Sequence, residues 1–139
     1  VEVWDPTSAG LYAIPGNDVR YTLSADNTGA GPIDSDTIVM IDEIPENVIF
    51  YNGDVDDAGP ETQPVSFSQT SGAGLTFTYA TDVAFSDSAD KPVNFAACLY
   101  TPSSGYDINV TYICINPKGA LAAGTPTPSF SVNFRAQIQ

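Results

Sequence analysis

Histidine is absent from this chain of 139 residues. Without it, neither a Ser-His-Asp triad nor a Cys-His pair can be assembled. The lysines, Lys91 and Lys118, do not stand in a Ser-x-x-Lys or phosphate-loop motif. A four-ligand zinc site would have to combine two thiols with carboxylates, which is an unusual ligand set. We therefore expect a protein that is not an enzyme and does not bind zinc.

Basic residues are scarce. Only Arg20, Lys91, Lys118 and Arg135 stand against 17 acidic residues, which gives a formal net charge of -13 at pH 7. A surface of this charge repels polyanions, so we expect neither a nucleic-acid partner nor binding to anionic lipid. The charge has two explanations that the sequence leaves open: solubility, or calcium loading of an extracellular surface.

Long apolar runs are missing as well. No stretch approaches the ~20 residues that a membrane helix needs, so no membrane insertion is expected. The sequence opens directly on strand-like residues from Val1 without a charged and then apolar leader, which is typical of a mature chain. Because no internal repeat and no Pro/Ser-rich linker divides the sequence, residues 1–139 are expected to form one domain.

Short segments of strand character fill the chain instead. Apolar residues recur at every second position in residues 19–25, 75–80 and 130–138. Short runs rich in β-forming residues add candidates at 37–41, 48–51, 65–67, 95–100 and 110–115. Clusters of Gly, Pro, Asn and Asp separate these segments. The spacing predicts an all-β sandwich or barrel of about eight or nine strands with essentially no α-helix.

The two cysteines, Cys98 and Cys114, each lie inside a strand-like run, and the turn-rich Pro102-Ser103-Ser104-Gly105 separates the runs. A hairpin would bring the cysteines opposite one another, which predicts an intramolecular disulfide. The alternative is a pair of buried free thiols. A disulfide, in a chain poor in lysine and rich in Thr, Ser, Asn and Gly, indicates a secreted protein at the cell surface or outside the cell.

The first third of the chain contains Pro15-Gly16, then an alternating strand, then Asn27-Thr28-Gly29, and later Ile44-Pro45 before a short strand. Over about residues 13–51 this order resembles the DUF11-type bacterial surface domain. The resemblance implies an immunoglobulin-like antiparallel β-sandwich in a secreted or cell-surface bacterial protein, and it says almost nothing about chemistry. The chain departs from that family in lacking tandem copies and in the acidic insertion and cysteine pair within residues 52–139.

The densest acidic stretch lies within residues 52–61. Calcium prefers clustered oxygen ligands on loops, although the order of residues here is not that of an EF-hand. The sequence leaves two interpretations open, a solvated acidic turn or a calcium site. The candidate calcium ligands are Asp54, Asp56, Asp57 and Glu61.

The segment Val1-Glu2-Val3-Trp4 has the alternation of a strand and ends at Asp5-Pro6, where proline cannot continue a ladder. Open sandwiches have edge strands that accept an added strand. We therefore predict a secreted structural subunit that acts through protein contacts and self-assembles into an extracellular filament or matrix. Its partners would be copies of itself or other extracellular proteins. The residues predicted to join subunits by strand addition are Val1, Glu2, Val3 and Trp4.

Two alternatives remain open at this point. The N-terminal segment has the pattern of an ordinary first strand as well, paired within its own sheet. The whole protein would also suit a monomeric binding or adhesin-like module for glycan or protein. In that case aromatic residues beside turns would supply a stacking platform, with Tyr12, Tyr51 and Tyr106 as candidates.

Overall fold

The computed structural model describes the backbone of residues 2–4 together with residues 14–59 and 62–139. These residues form mostly strands, with the short helix α1 Tyr79–Asp82 and a 3₁₀ helix, Phe95–Ala97. The strands are β1 Glu2–Trp4, β2 Asp18–Asp26, β3 Met40–Glu43, β4 Val48–Asn52, β5 Val65–Gln69, β6 Leu75–Thr76, β7 Val83–Ser86, β8 Gly105–Asp107, β9 Tyr112–Ile115, β10 Lys118–Gly119 and β11 Ser129–Ile138.

The largest sheet, called sheet A, is organised around β11. Its strand order is β1-β2-β11-β4-β8, and β5 also pairs with β11. On one side β11 is antiparallel to β2, from Ser129 opposite Asp26 to Gln137 opposite Asp18. On its other side β5 and then β4 pair with successive parts of β11. Sheet A therefore has five strands at one end and only β2, β11 and β5 at the other.

The alternation in β11 explains which way its side chains face. Phe130, Val132 and Phe134 are buried, and the residues between them are partly exposed. In β2 the residues after Val19 show the same two-residue repeat, with one face more exposed than the other. Each strand therefore presents an apolar face to the core and a polar face to solvent.

A second sheet, called sheet B, has the order β3-β9-β7, and β6 pairs with β10 in a two-stranded ribbon. In β9 all four residues are buried. One cluster of buried residues joins the sheets, and in it Phe50 of sheet A lies with its ring centroid 4.9 Å from that of Phe85 of sheet B. Burying each such side chain contributes roughly 1.5–3 kcal/mol. The core therefore lies between the inner faces of sheets A and B.

The strand predicted over residues 75–80 is wrong beyond Thr76. The chain turns instead into α1, where the Asp82 carboxylate accepts hydrogen bonds from the Thr78 N–H at 2.7 Å and the Thr81 hydroxyl at 3.0 Å. Asp82 is 2% exposed. This local side-chain bonding outweighs the alternating pattern of residues 75–80. The four residues of α1 are the only α-helix among the described residues, in line with the expectation of essentially none.

The strand predicted over residues 95–100 is wrong too, because the chain forms the 3₁₀ helix there. The side chain of Asn94 caps it by accepting a hydrogen bond from the Ala97 N–H at 3.0 Å. The predicted disulfide between Cys98 and Cys114 is present, with 6.6 Å between the Cα atoms. The predicted hairpin is not, since Cys98 follows the 3₁₀ helix and Cys114 lies in β9. The disulfide therefore links the segment that follows the 3₁₀ helix to β9 of sheet B.

The prediction of an all-β fold of antiparallel strands is confirmed. The described residues contain eleven strands rather than eight or nine. The additional ones are short, and β6 and β10 have only two residues each, which is too few to show a period. No helix in the described part of the chain is long and apolar enough to cross a membrane.

Candidate functional site

The N-terminal strand β1 lies at one edge of sheet A, and β2 is the one described strand with which it pairs. Its register places Glu2 opposite Arg20, Val3 opposite Val19 and Trp4 opposite Asp18. Pairing of β1 with β2 of the same chain is the arrangement expected of an ordinary first strand. Val1, which was also predicted to join subunits, lies outside the described residues. A strand exchanged between two copies would use the same pairing, so the intramolecular contact is compatible with both interpretations.

The edge of β2 is only partly covered. Strand β1 lies beside Asp18 to Arg20, whereas β2 continues for six more residues, to Asp26. Along residues 21–26, β11 pairs with β2 on one side, and no strand of the described residues pairs on the other. Alternate backbone N–H and C=O groups of this part of β2 therefore point away from the sheet without a ladder partner in the described chain.

Strand β5 has a second open edge. It pairs with β11 alone among the described strands. A groove of about 490 Å³ runs beside it, and its lining includes Val65, Phe67, Phe77 and Tyr79. The rings of Phe67 and Phe77 are stacked with centroids 4.7 Å apart, and both side chains are only partly buried. The groove therefore offers aromatic surface next to an open ladder.

The outer face of the three-stranded end of sheet A carries rows of small polar side chains. In one row Asn133 accepts a hydrogen bond from the Thr22 hydroxyl at 2.7 Å and donates to the Ser66 hydroxyl at 3.2 Å. In the next row the hydroxyls of Ser68 and Ser131 are 2.8 Å apart. These rows contain no charged side chain, which is unusual in a chain of net charge -13.

Of the proposed calcium ligands, Asp54, Asp56 and Asp57 are described, and their carboxylates have partners within the chain. Asp54 accepts hydrogen bonds from the N–H groups of Asp56 and Asp57, each at 3.1 Å. The Asp57 carboxylate is 2.8 Å from Nη1 of Arg135. Glu61 lies outside the described residues, and among those that are described no three acidic or cysteine side chains form a metal-binding group. Calcium binding stays a prediction.

The structure shows a buried polar cluster that sequence analysis missed. Arg135 bonds through Nε to the Asp18 carboxylate, and both residues are less than 9% exposed. The Tyr106 hydroxyl donates to the two Asp18 oxygens at 3.0 and 3.1 Å. The Arg135 guanidinium also lies 4.6 Å from the centre of the Tyr51 ring. The only signal in the sequence was Arg135 within an otherwise neutral strand.

Two groups of this cluster, the Arg135 guanidinium and the Tyr106 hydroxyl, have raised pKa values. Burial acts to lower the pKa of Arg135, but its hydrogen bonds to Asp18 and Asp57 outweigh burial and raise it. Burial and the hydrogen bond to Asp18 raise the pKa of the Tyr106 hydroxyl. Neither group exchanges a proton near neutral pH, so the cluster has the character of a structural ion pair rather than of an acid–base site.

Two of the three tyrosines considered for a binding platform meet at the surface. The rings of Tyr51 and Tyr106 are 4.9 Å apart and tilted by 47°. Tyr106 is 43% exposed. Tyr12 lies outside the described residues.

No protein-family model matches this chain, and neither the curated proteins nor the solved structures searched contain a match to it.

Proposed function

We propose that this protein is a secreted structural subunit that assembles with copies of itself into an extracellular filament or matrix. The subunit is an immunoglobulin-like β-sandwich of the DUF11 type, and neighbouring subunits exchange the strand formed by residues 1–4. The observation that carries the proposal is the position of β1, a three-residue strand at the edge of sheet A that has β2 as its one partner among the described strands.

The energetics of β1 favour exchange. A strand of three residues contributes few ladder hydrogen bonds, and a two-stranded contact of this size is marginal in water. An exchanged strand forms the same contacts with the β2 of another copy, so exchange costs little beyond the entropy of association. Because each copy gives one strand and receives one, a head-to-tail exchange continues as a linear polymer.

The sequence between β1 and β2 is long enough to reach another copy. Residues 5–17 separate Trp4 from Asp18, and a segment of 13 residues spans at most about 45 Å when extended. That reach exceeds the roughly 30 Å width of a small domain. The disulfide supports the extracellular part of the proposal, because such bonds persist in oxidising compartments.

Mixed disulfide trapping tests the exchange. Glu2 and Arg20 are opposite one another in the ladder, at a Cα spacing that suits a disulfide. The variants Glu2→Cys and Arg20→Cys are refolded separately and as an equimolar mixture, then oxidised. We expect heterodimers linked between positions 2 and 20 in the mixture, and longer covalent chains from the double variant. The native protein should appear as a polymer by light scattering.

Pairing of β1 within its own chain predicts a different set of products. If β1 pairs only within its own chain, the double variant gives a cross-linked monomer, the mixture gives no 2–20 heterodimer, and native material scatters as a monomer. That combination would refute assembly by exchange of β1.

One observation favours the alternative, a monomeric module that binds a glycan or a protein. Tyr51 and Tyr106 lie together at the surface beside the Arg135 guanidinium, and paired tyrosines stack on sugar rings. If that is the function, a monomer should persist at high concentration, and Tyr106→Ala should abolish glycan binding on an array while leaving the fold intact.

A further inference from the structure

We propose that Asn109 is an N-glycosylation site, at which an oligosaccharide is joined to the side-chain amide while the chain is being secreted. The site is Asn109-Val110-Thr111, which has the acceptor pattern Asn-x-Thr with a residue other than proline in the middle. Of the eight asparagines in the chain, Asn109 is the one with Ser or Thr two positions later. The inference rests on the proposed function only in that the chain is secreted, and it requires neither a polymer nor exchange of β1.

Asn109 lies in an exposed turn. Strand β8 ends at Asp107 and β9 begins at Tyr112, so the acceptor pattern falls in the connection between them. The Asp107 carboxylate accepts a hydrogen bond from the Asn109 N–H at 2.9 Å, which is the bond of an Asx turn. Asn109 itself is exposed. An oligosaccharide on its side chain therefore projects into solvent and displaces no core residue.

The amide of Asn109 keeps its bonding capacity within the turn after the modification. Burial acts to raise the pKa of Asp107, and hydrogen bonds from the backbone and from the Asn109 side chain outweigh burial and lower it. A primary amide has two N–H donors. A sugar linked to Nδ2 replaces one hydrogen, so one donor remains for the Asp107 carboxylate and the turn is retained.

An oligosaccharide at this position covers exposed apolar surface. Ile108 is 65% exposed and Tyr106 is 43% exposed, and both lie within three residues of Asn109. Glycans are bulky and hydrophilic, so they reduce the access of other molecules to the surface around them. We therefore expect protein that lacks the oligosaccharide to be less soluble than protein that carries it.

The folded structure indicates when the oligosaccharide is added. The acceptor pattern accepts Ser and Thr alike, so the transferring enzyme reads the hydroxyl that they share. In the folded chain the Thr111 hydroxyl donates to the carbonyl oxygens of Ser86 at 2.9 Å and Ser88 at 2.7 Å. Val110 is only 3% exposed. The segment is therefore available to an enzyme before Thr111 joins β7, and not afterwards.

The chemistry is a group transfer without oxidation or reduction. The donor is a lipid-linked oligosaccharide diphosphate, and the enzyme is an oligosaccharyltransferase of the secretory membrane. The bond between the sugar C1 and the diphosphate oxygen breaks, and a bond between C1 and Nδ2 of Asn109 forms. The amide loses one proton, and the lipid diphosphate is the leaving group.

The position of the turn is compatible with the proposed exchange. Among the described strands β1 and β8 are the outermost ones on opposite sides of sheet A, in the order β1-β2-β11-β4-β8. An oligosaccharide at the turn that follows β8 therefore lies away from the strand that is proposed to be exchanged. Glycosylation and assembly are independent and can be tested separately.

Three variants separate glycosylation from the structural role of Thr111. Asn109→Gln removes the acceptor and leaves the bonds of the Thr111 hydroxyl in place. Thr111→Val removes both the acceptor pattern and those bonds, whereas Thr111→Ser keeps both. A structural role alone would affect only Thr111→Val. We expect Thr111→Ser to carry the oligosaccharide, and Asn109→Gln to lack it while melting as a folded protein.

The mass of a peptide from the secreted protein tests the site. The protein is purified from its own organism and digested, and the peptide that contains residue 109 is weighed and fragmented. We expect a mass above that of the sequence by one oligosaccharide, placed on Asn109 by the fragments and absent from Asn109→Gln. A peptide from the unsubstituted protein at the mass of the sequence alone would overturn the proposal.

The outcomes also separate this inference from the proposed function. An unmodified protein that forms polymers with 2–20 links overturns glycosylation and leaves assembly standing. A glycosylated protein that persists as a monomer supports glycosylation and overturns assembly. Protein that is found inside the cell, unmodified and monomeric, overturns both.

The order of events has its own test. The full chain is given to the transferase and the lipid-linked donor either already folded or diluted directly out of denaturant. We expect modification at least about tenfold faster from denaturant, because the folded chain must first open locally around Thr111. Equal rates would overturn the order that we assign.

Discussion

Asp18 and Arg135 form an ion pair between the adjacent strands β2 and β11, with only 6% and 10% of their side chains exposed. Asp18 is also the residue that stands opposite Trp4 in the β1–β2 ladder. The charge that neutralises Arg135 therefore sits at the position where the N-terminal strand joins sheet A. Asp57, the other carboxylate at this guanidinium, is 47% exposed.

The burial of this pair predicts unequal effects of removing its two acids. Asp18→Ala should lower the free energy of unfolding by about 3 kcal/mol, because it removes the buried carboxylate that is paired with a buried guanidinium. Asp57→Ala should cost less than about 1 kcal/mol, as for an exposed ion pair. Urea unfolding at neutral pH measures both, and equal losses in the two variants would contradict this assignment.

Asp107 makes stability depend on pH. Burial acts to raise its pKa, but hydrogen bonds from the N–H groups of Ser103 and Asn109 and from the Tyr100 hydroxyl lower it below the usual 3.8. A lowered pKa in the folded state contributes stability above the unfolded pKa and loses it as the pH falls through the folded one. Asp107→Asn should be less stable at pH 7 and should lose less stability than the native protein as the pH falls below about 4. If the stability of Asp107→Asn fell with pH in parallel with that of the native protein, this role of Asp107 would be contradicted.

The disulfide should contribute about 3 kcal/mol to stability, since the cysteines are 16 residues apart in the sequence. Intact mass after alkylation without reductant should show no added groups on the native chain. Cys98→Ala combined with Cys114→Ala should unfold at lower urea concentration yet keep the all-β spectrum. Alkylation of both cysteines in protein that has not been reduced would refute the bond.

The calcium hypothesis makes a separate prediction. If Asp54, Asp56, Asp57 and Glu61 hold the ion, the melting temperature should rise from EDTA to millimolar calcium, because binding to the folded state stabilises it by mass action. Asp57 would have to share its carboxylate with Arg135 or leave it. Asp54→Asn should remove the rise, with magnesium as the control. A melting temperature that calcium leaves unchanged contradicts the site.

Two glycines of the loop before β6 give a matched pair of backbone tests. Gly74 has a φ of +87°, and a Cβ there would lie 2.8 Å from the Ala120 carbonyl oxygen. Gly72 has a φ of +79° and open space around it. Alanine at either position costs about 1 kcal/mol in strain, and Gly74→Ala should cost roughly 1–3 kcal/mol more because backbone must shift. Thermal melts of both variants measure the difference.

Sequence analysis located the long strands because alternation alone determines them. Residues 19–25 lie within β2 and residues 130–138 lie within β11. In both strands the apolar face packs against the core between the sheets. Alternation was wrong beyond Thr76 in residues 75–80, and the content of β-forming residues was wrong at residues 95–100. There Asp82 and Asn94 bond to nearby backbone N–H groups and turn the chain, and these contacts depend on conformation rather than on period.

The candidate site was only partly predictable for a related reason. The alternation of Val1 to Trp4 indicated a strand but could not show its partner. The open edges of β2 and β5 follow from strand order, because β11 must first be placed between them. The bond between Asp18 and Arg135 joins residues 117 apart in the sequence, and no local pattern indicates it.

The position of β11, between β2 on one side and β4 and β5 on the other, also bears on the order in which sheet A forms during folding. β2, β4 and β5 do not pair with one another in the described structure, and only β11 joins them into one sheet. The contact from Thr22 to Asn133 closes a separation of 111 residues, and such non-local pairings form slowly compared with local structure. Until β11 pairs, the edges of β2, β4 and β5 that face it stay open. Because partly folded chains with unpaired strand edges aggregate, we expect the yield of refolding to fall with rising protein concentration until β11 has paired.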